Sequence, residues 1–221
     1  KREVLVEPGV VLDHLNDFLE PHGLFFPVDV STSSRATIGG MTGNNSVGAR
    51  SIRYGLMVDN VKGVDALLAD GEQITLRPGM PSDQEGRLAL IQTQMLSLYE
   101  REREEMDRRL PKVLRNVAGY NLNRLGRPDF RLSDLLVGSE GTLAWFQSVN
   151  LELQPIPSHK VVGVCHFPTF ASAMESTKTL VELGPAAVEL IDRTVIDLAL
   201  ENPDFRSAMA TFVRGDPAAP F

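Results

Sequence analysis

The sequence predicts an α+β fold, in which an antiparallel sheet is followed by a β-α-β-α unit. Two apolar runs, residues 62–68 and 73–76, are joined through an Asp-Gly pair, which is typical of a β-hairpin. Residues 143–153 form a third run with strand character. Prolines at positions 155 and 157 interrupt the chain, and alternating strand and helix patterns resume after them.

The elements before the hairpin also follow from local patterns. Residues 3–6 alternate like a strand. An apolar stripe at helical spacing then predicts a helix, formed by Leu12, Leu15 and Leu19 and ended by Pro21 and Gly23. Residues 25–28 predict a short apolar strand.

A long helix is predicted over residues 82–110, where apolar side chains recur every three or four positions. Its charged run, residues 100–109, alternates in sign and offers Glu104/Arg108 and Glu105/Arg109 pairs at i,i+4. This pattern favours a solvated helix face over a partner-binding patch.

A domain boundary is predicted near Ser158, which divides the chain into residues 1–157 and 158–221. Beyond it, residues 160–167 and 187–190 predict strands. Residues 169–183 and 192–200 predict helices, which completes the β-α-β-α order.

Composition excludes several classes of protein. The 221 residues carry a formal net charge of −7, which argues against nucleic acid as a partner. Cys165 is the single cysteine, so the chain holds no internal disulfide and cannot by itself bind an iron–sulfur cluster. No apolar run approaches the roughly 20 residues that span a bilayer. We therefore expect a cytoplasmic protein without a membrane span.

Residues 36–54, which read ATIGGMTGNNSVGARSIRY, form the most unusual stretch of the chain. Four glycines and two asparagines make ordinary helix or strand unexpected, and they offer backbone N–H donors to an anionic or polar ligand. The alternative is a glycine-rich surface loop. The segment matches neither GxGxxG nor the phosphate-binding GxxxxGK[ST] pattern.

A second constellation, VGSEGTLA, occupies residues 137–144. Its glycines flank an acid and a hydroxyl, so that backbone donors and Thr142 can face a ligand while Glu140 accepts hydrogen bonds or caps a turn. By itself it would be a turn that leads into a strand. The four histidines, at positions 14, 22, 159 and 166, lack HxH or HExxH spacing, so no metal site is expected.

Six motifs in a fixed order resemble the FAD-linked oxidases, the superfamily of vanillyl-alcohol oxidase and p-cresol methylhydroxylase (PCMH). They read VEPGV (6–10), HGLFFPVDVS (22–31), TIGGMTGNNSVGARSIRYG (37–55), DNVKGVDALLADGE (59–72), RNVAGYNL (115–122) and VGSEGTLAWF (137–146). The resemblance covers nearly the whole chain and is greatest to D-2-hydroxyacid dehydrogenases of the glycolate oxidase and D-lactate dehydrogenase group. Residues 164–194 also resemble the subgroup fused to an iron–sulfur domain.

The resemblance implies the antiparallel-sheet part of a PCMH-type FAD-binding domain, followed by the start of a ferredoxin-like cap domain. It implies oxidation of a D-2-hydroxy acid, such as D-lactate, glycolate or D-2-hydroxyglutarate, to the 2-oxo acid. A base would take the hydroxyl proton, hydride would pass to FAD, and electrons would leave for an iron–sulfur domain or a quinone. Two alternatives stay open: another oxidase of the superfamily, acting on an aldonolactone or a phenol, and a non-catalytic nucleotide-binding module.

Residue by residue, the resemblance assigns FAD contacts to Pro27, Asp29, Thr37, Ile38, Gly39, Gly40, Asn44, Asn45, Gly48, Tyr54, Gly55, Glu140, Gly141, Thr142 and Leu143. Substrate contact is the hypothesis for Asn116, Tyr120 and Asn121, with structural hydrogen bonding as an equal alternative. Ala144 stands where the family usually has glycine, and its methyl group would crowd the cofactor or a neighbouring strand.

No catalytic residue is assigned, because the resemblance places the family's catalytic histidines and metal ligands in a later part of the family's proteins, which this sequence does not contain. The sequence is also expected to be a fragment that begins after the family's pyrophosphate loop. Such a fragment is predicted to bind FAD weakly, to be inactive, and to self-associate into a homo-oligomer through its exposed apolar surface. Residues 36–54 and 137–143 are expected to converge on one face of an antiparallel sheet, because both offer backbone donors to one ligand.

Overall fold

The computed structural model describes residues 2–77, 86–113, 115–215 and 219–220. The chain forms two compact units, Lys1–Ile156 and Pro157–Phe221. In the described residues, no helix combines the length and apolar character needed to cross a membrane. The mixed helix and antiparallel sheet architecture confirms the predicted α+β class.

The first unit is built on a four-stranded antiparallel sheet in the order β1-β5-β3-β4. Its strands are β1 (Glu3–Val6), β3 (Val61–Leu67), β4 (Gln73–Leu76) and β5 (Trp145–Glu152). The predicted hairpin is present as β3 and β4, with Leu67 opposite Gln73. Strand β1 pairs with β5 from Glu3 opposite Glu152 to Val6 opposite Val149.

The core of this unit lies against one face of the sheet. Strand β5 buries Phe146, Val149 and Leu151. Helix α1 (Leu12–Leu19) buries Leu12, Leu15 and Leu19, the stripe read from the sequence. One continuous apolar cluster joins these side chains to those of the glycine-rich segment, Ile38 and Met41 among them. Apolar contacts of Ile38 and Met41 therefore hold the glycine-rich segment in the core beside the sheet.

The short strand predicted over residues 25–28 is misplaced. Strand β2 covers only Leu24–Phe25 and pairs with β6 (Gln154–Pro155). Pro27 has no N–H to donate to a ladder, and the N–H of Phe26 donates instead to Oδ1 of Asn16 at 2.8 Å. The apolar side chains of Phe26 and Val28 are buried in the core, although neither residue lies in a strand.

The expectation that residues 36–54 cannot be ordinary helix is wrong. They contain α2 (Ile38–Gly43) and α3 (Ser51–Tyr54), and α4 (Met57–Asn60) follows. Thr37 caps α2, its hydroxyl accepting from the N–H of Gly40 at 3.2 Å. A buried face and a cap outweigh the low helix propensity of two adjacent glycines.

Helix α5 (Arg87–Arg109) and the short α6 (Ser133–Leu136) are the remaining α-helices in the described residues of the first unit. The first four residues of the predicted long helix, 82–85, lie outside the described residues. On the exposed face of α5, the predicted Glu105/Arg109 pair is present, whereas Arg108 pairs with Glu105 and not with the predicted Glu104. This face is solvated, as the alternating charge predicts.

The second unit differs from the predicted β-α-β-α order. Its described residues form β7 (His166–Phe167), α7 (Phe170–Glu182), α8 (Arg193–Glu201), α9 (Pro203–Phe212) and β8 (Ala219–Pro220). Residues 160–165 and 187–190 are not strands. A strand requires a hydrogen-bonded neighbour, and within the described part of this unit β8 pairs only with the two residues of β7. Val161 and Val162 are consequently 95% and 85% exposed.

Helix α9 is an element that the sequence reading missed, although its start signal is present. Asn202 accepts from the N–H of Asp204 at 2.9 Å, and Pro203 occupies the first helical turn. This combination of an N-cap and an early proline is typical of a helix start.

Candidate functional site

The two glycine-bearing segments lie side by side, as predicted. The N–H of Gly138 donates to the carbonyl of Thr42 at 2.9 Å, and that of Glu140 donates to the carbonyl of Gly43, also at 2.9 Å. These carbonyls end helix α2, where backbone acceptors lack partners within the helix. The 137–143 segment thus acts as the C-terminal cap of α2.

The 138–142 loop turns outward through left-handed backbone. Gly138, Glu140 and Gly141 have φ values of 84°, 51° and 73°. A Cβ atom added at Gly141 would meet nothing within 4 Å, and the Gly141 N–H makes no hydrogen bond to any described residue. The loop therefore presents a free backbone donor to open space.

Two hydroxyls close the outer side of this loop. Tyr120 Oη lies 2.8 Å from Thr142 Oγ1, which donates to the Ser139 carbonyl at 2.5 Å. Glu140, Gly141 and Thr142 are exposed, and Leu143 is 40% exposed. Ala144 belongs to the buried core, so its methyl group packs beneath the loop.

Ser139 was missed by the sequence reading. It is 1% exposed, and within the described residues its hydroxyl is the single buried side-chain polar atom without a hydrogen-bond partner. Burying such a group costs about 1 to 3 kcal/mol when it stays unpaired. The signal was its place inside GSEG, directly before Glu140, which was selected as a site residue.

Most backbone N–H groups of residues 36–54 donate to other groups of the chain. Fewer of them are therefore left over as donors for a ligand than the sequence indicates. Ile38 donates to the Val10 carbonyl and Gly39 to the Pro8 carbonyl, each at 2.8 Å. Among the described residues, the N–H groups of Val47 and Ala49 find no acceptor. These two donors flank Gly48 and were also missed, because an Ala and a Val carry no polar side chain.

Two predicted contacts of the glycine segment are close-packing positions. A Cβ at Gly39 would lie 2.5 Å from Cβ of Pro8. A Cβ at Gly48 would overlap the carbonyl and carboxylate oxygens of Asp29. Asp29 in turn accepts from the N–H of Arg50 at 3.1 Å. The absence of a side chain at Gly48 thus leaves room for Asp29, whose carboxylate binds the backbone just before α3.

The amides of Asn45 and Asn121 are buried and joined to each other. Asn45 has φ 53° and is fully buried, with its Oδ1 accepting from Val58 N–H at 3.0 Å. Its Nδ2 donates to Asn121 Oδ1 at 3.1 Å. Asn121 Nδ2 donates to the carbonyls of Asp134 and Val137 at 3.0 and 2.7 Å. This geometry favours structural hydrogen bonding for Asn121 over substrate contact.

The remaining predicted site residues occupy varied surroundings. Asn44 is exposed and accepts from the Ser46 hydroxyl at 2.7 Å, whereas Pro27 is buried. Tyr54 is half-buried with its ring edge-on to Phe25 at 5.8 Å. Gly55 has φ 78° beside Asp59, and Asn116 borders a cavity that these two residues also line. In the described residues, no group of three or more His, Cys, Asp or Glu side chains is placed to hold a metal ion.

Comparison with known families decides the relationship. Residues 1–77 match the family model described as an FAD binding domain, and residues 156–217 match the model described as FAD linked oxidases, C-terminal domain. The chain belongs to the FAD-linked oxidases.

Relatives of this FAD-linked oxidase chain include three named enzymes. It is 36% identical to a D-2-hydroxyglutarate dehydrogenase of Pantoea ananatis over 91% of the chain and 21% of the relative. It is 32% identical to a mitochondrial D-lactate dehydrogenase [cytochrome] of Arabidopsis thaliana, over 88% of the chain and 27% of the relative. It is 29% identical to the glycolate oxidase subunit GlcD of Bacillus subtilis, over 86% of the chain and 32% of the relative. The chain thus spans between a fifth and a third of these relatives.

A solved structure of alkyldihydroxyacetonephosphate synthase shares the fold. It superposes with a TM-score of 0.60 and 18% identity, over 95% of the chain and 30% of that protein.

Behind the Asn45–Asn121 pair of the FAD-linked oxidase chain lies a buried ionic cluster. Asp134 is 1% exposed and pairs with Arg131, whose Nη2 is 2.8 Å from Oδ1. Arg124 pairs with Asp59 and lies 3.9 Å from Asp134. Burial raises the pKa of the Asp134 carboxyl above its ordinary value of 3.8, while Arg131 and Arg124 act in the opposite direction.

Asp134 should make stability depend on pH in a defined direction. Its raised pKa means that the folded chain binds more protons than the unfolded chain once the pH exceeds about 3.8. The stability advantage of wild type over Asp134→Asn should therefore shrink as the pH rises from about 3.8 to the raised pKa of Asp134. Above that pKa the difference should level off. Urea unfolding at a series of pH values measures it. Asp17→Asn, at an exposed position on α1, is the control, and an equal slope there would contradict the assignment to Asp134.

Proposed function

We propose that this chain is part of an FAD-dependent dehydrogenase that oxidises a D-2-hydroxy acid to the 2-oxo acid. The observation that carries the proposal is the apposition of the outward-turned 138–142 loop and the end of α2, beside a buried hydroxyl without a partner. The named relatives act on D-2-hydroxyglutarate, D-lactate and glycolate by their names, which supports this substrate class.

The residues present fit a flavin nucleotide. A pyrophosphate and a ribityl chain need hydrogen-bond donors and hydroxyl partners, and backbone N–H groups in a glycine-rich turn suit them. Unused donors stand at Val47, Ala49 and Gly141, and Ser139 adds an unpaired hydroxyl. Together with Glu140 and Thr142, these groups would hold the cofactor.

When bound, FAD would accept the two electrons and the hydrogen released by the hydroxy acid. The residues of this chain would bind and orient it. Gly141 and Ser139 would fix its position from the loop, and the Tyr120–Thr142 hydrogen bond would hold the loop in place. The base that removes the hydroxyl proton is not assigned to any residue of this chain.

The same proposal extends to domains and partners. Residues 1–157 would form part of the FAD-binding domain, and residues 158–221 would begin the substrate-capping domain. The division at Ile156 and the two family matches support this assignment. An iron–sulfur domain or a quinone would take the electrons. A cytoplasmic location is proposed on the single cysteine, which suits a reducing compartment.

The test is made on the full-length protein that contains this chain. Flavin absorbance of the purified protein and dye reduction with D-lactate, glycolate and D-2-hydroxyglutarate are measured, with L-lactate as the stereochemical control. A bound flavin and turnover of a D-acid are expected. Protein that neither retains nor takes up FAD would overturn the flavin assignment, and a flavoprotein inert to all D-acids would overturn the substrate class.

Ser139→Ala tests the flavin contact within that protein. Removing one hydrogen bond should weaken FAD binding by roughly five- to tenfold, since such a bond contributes about 1 kcal/mol. Stability without FAD should not fall, because the hydroxyl has no partner among the described residues. Ser34→Ala, at an exposed position, is the matched control. An unchanged FAD affinity in Ser139→Ala would remove this residue from the site.

A further inference from the structure

A cavity of about 210 Å³ lies between the α3–α4 turn and the loop that follows α5. The α3–α4 side contributes Gly55 and Asp59, and the loop side contributes Asn116 and Asn123. Three arginines border the same space: Arg115, Arg124 and Arg127. We propose that this cavity binds a small oxyanion, a carboxylate or a phosphate group.

The charge balance of the cavity favours an anion. Three guanidinium groups face one lining carboxylate, Asp59, which leaves an excess of two positive charges. Arg124 is buried and already neutralised, because it pairs with Asp59 and lies near Asp134. The excess therefore belongs to Arg115 and Arg127.

Neither of these two arginines has a carboxylate partner in the described part of the chain. Arg115 donates from Nη2 to the Gly48 carbonyl at 2.9 Å, which positions its side chain and leaves other N–H groups available. Arg127 makes no side-chain hydrogen bond or ion pair to a described residue. Guanidinium groups present paired donors that match carboxylate and phosphate oxygens.

Ion pairs and hydrogen bonds to neighbouring residues fix the side chains that form the walls of the cavity. Arg124 is fixed by its ion pairs, and Asn121 is fixed by two backbone carbonyls. On the opposite side, Asp59 Oδ2 accepts from the Leu56 N–H at 2.7 Å. A binding site with fixed walls loses less entropy when it takes up a ligand. Asn116 and Asn123 add neutral amide donors at the rim.

Size limits the occupant. A water molecule takes about 30 Å³ in the liquid, so the cavity holds roughly seven water volumes. It is smaller than the roughly 300 to 1,000 Å³ of pockets for drug-sized ligands. The cavity suits inorganic phosphate or a short dicarboxylate and is too small for a whole flavin nucleotide.

The experiment titrates the chain, without FAD, with sodium phosphate and separately with glutarate, a dicarboxylate that lacks the 2-hydroxyl. Isothermal titration calorimetry at constant ionic strength, with sodium chloride as the background salt, gives the affinity and stoichiometry. We expect saturable binding of one equivalent of at least one anion. Binding of phosphate alone identifies a phosphoryl site, and binding of glutarate alone identifies a carboxylate site.

Arg127→Gln is the main variant, because this exposed side chain can be changed without leaving a buried carboxylate unpaired. Its affinity for the anion should fall at least about tenfold, and Arg115→Gln should weaken binding in the same direction. Arg103→Gln, which removes the same charge from an exposed position on α5, should bind as wild type does. Absence of saturable binding, or an equal loss in Arg103→Gln, overturns the proposal.

This inference does not rest on the proposed function. Anion binding is measured in the absence of flavin and of any oxidisable substrate. A chain that binds no anion leaves the flavin proposal standing, and a full-length protein without FAD leaves the anion site standing.

Discussion

Replacing Asn121 with alanine is expected to lower the free energy of unfolding of the first unit by about 4 kcal/mol. The change leaves three buried groups without partners: the Nδ2 group of Asn45 and the carbonyls of Asp134 and Val137. Each unpaired buried group costs about 1 to 3 kcal/mol, and the lost side chain also leaves a void. Urea unfolding followed by the fluorescence of Trp145, the single tryptophan, reports on this unit.

A double-mutant cycle measures the interaction energy between Asn45 and Asn121 separately from their other contacts. Asn45→Ala and Asn121→Ala should be strongly non-additive, because both changes break the same hydrogen bond. Asn123→Ala is the control, since this exposed neighbour should change stability by no more than about 0.5 kcal/mol. If Asn121→Ala unfolds like wild type while the full-length protein with this change binds the D-2-hydroxy acid more weakly, the substrate-contact hypothesis is correct and the structural role is wrong.

Replacing Gly48 with alanine is expected to destabilise the first unit by about 3 kcal/mol or more. The new methyl group would overlap the carbonyl and carboxylate oxygens of Asp29, and a backbone oxygen cannot swing aside as a flexible side chain can. Relief requires the segment to shift, which breaks the hydrogen bond from Arg50 N–H to Asp29 and the one from Gly48 N–H to Ser51. The same urea unfolding measures the loss.

Gly9→Ala is the matched control for this substitution. A Cβ at Gly9 would meet nothing within 4 Å, so its unfolding free energy should change by less than about 1 kcal/mol. In the full-length protein, Gly48→Ala should also weaken FAD binding, because Val47 and Ala49 flank the displaced position. Equal stability of the two alanine variants would show that Asp29 moves freely and that Gly48 is not a packing position.

The sequence predicted the elements whose signals are local. The hairpin of β3 and β4 followed from its Asp-Gly turn, and α1 followed from three leucines at helical spacing. The second unit was less predictable. Residues 160–165 and 187–190 look like strands because they are apolar, but strand formation depends on a neighbour elsewhere in the chain.

Parts of the candidate site were also predictable, because their signals are local in the sequence. The segments 36–54 and 137–143 stood out by composition, and family resemblance linked them to one cofactor. Composition did not reveal which groups in them are unused. Val47, Ala49 and Ser139 were missed, while Gly39 and Gly48 turned out to pack against Pro8 and Asp29. Whether an N–H is free depends on where distant carbonyls lie.

The sequence by itself determined the fold class, the family and the two segments proposed to meet the flavin, because these depend on local pattern and motif order. Only the tertiary structure decided the roles inside those segments. It set Asn45 against Asn121, 76 positions apart, and it turned a supposed glycine loop into a capped helix. It also gathered the arginines of one loop around a cavity whose other wall comes from α3 and α4. Burial and hydrogen bonding between distant parts of the chain, which no local pattern encodes, assign these roles.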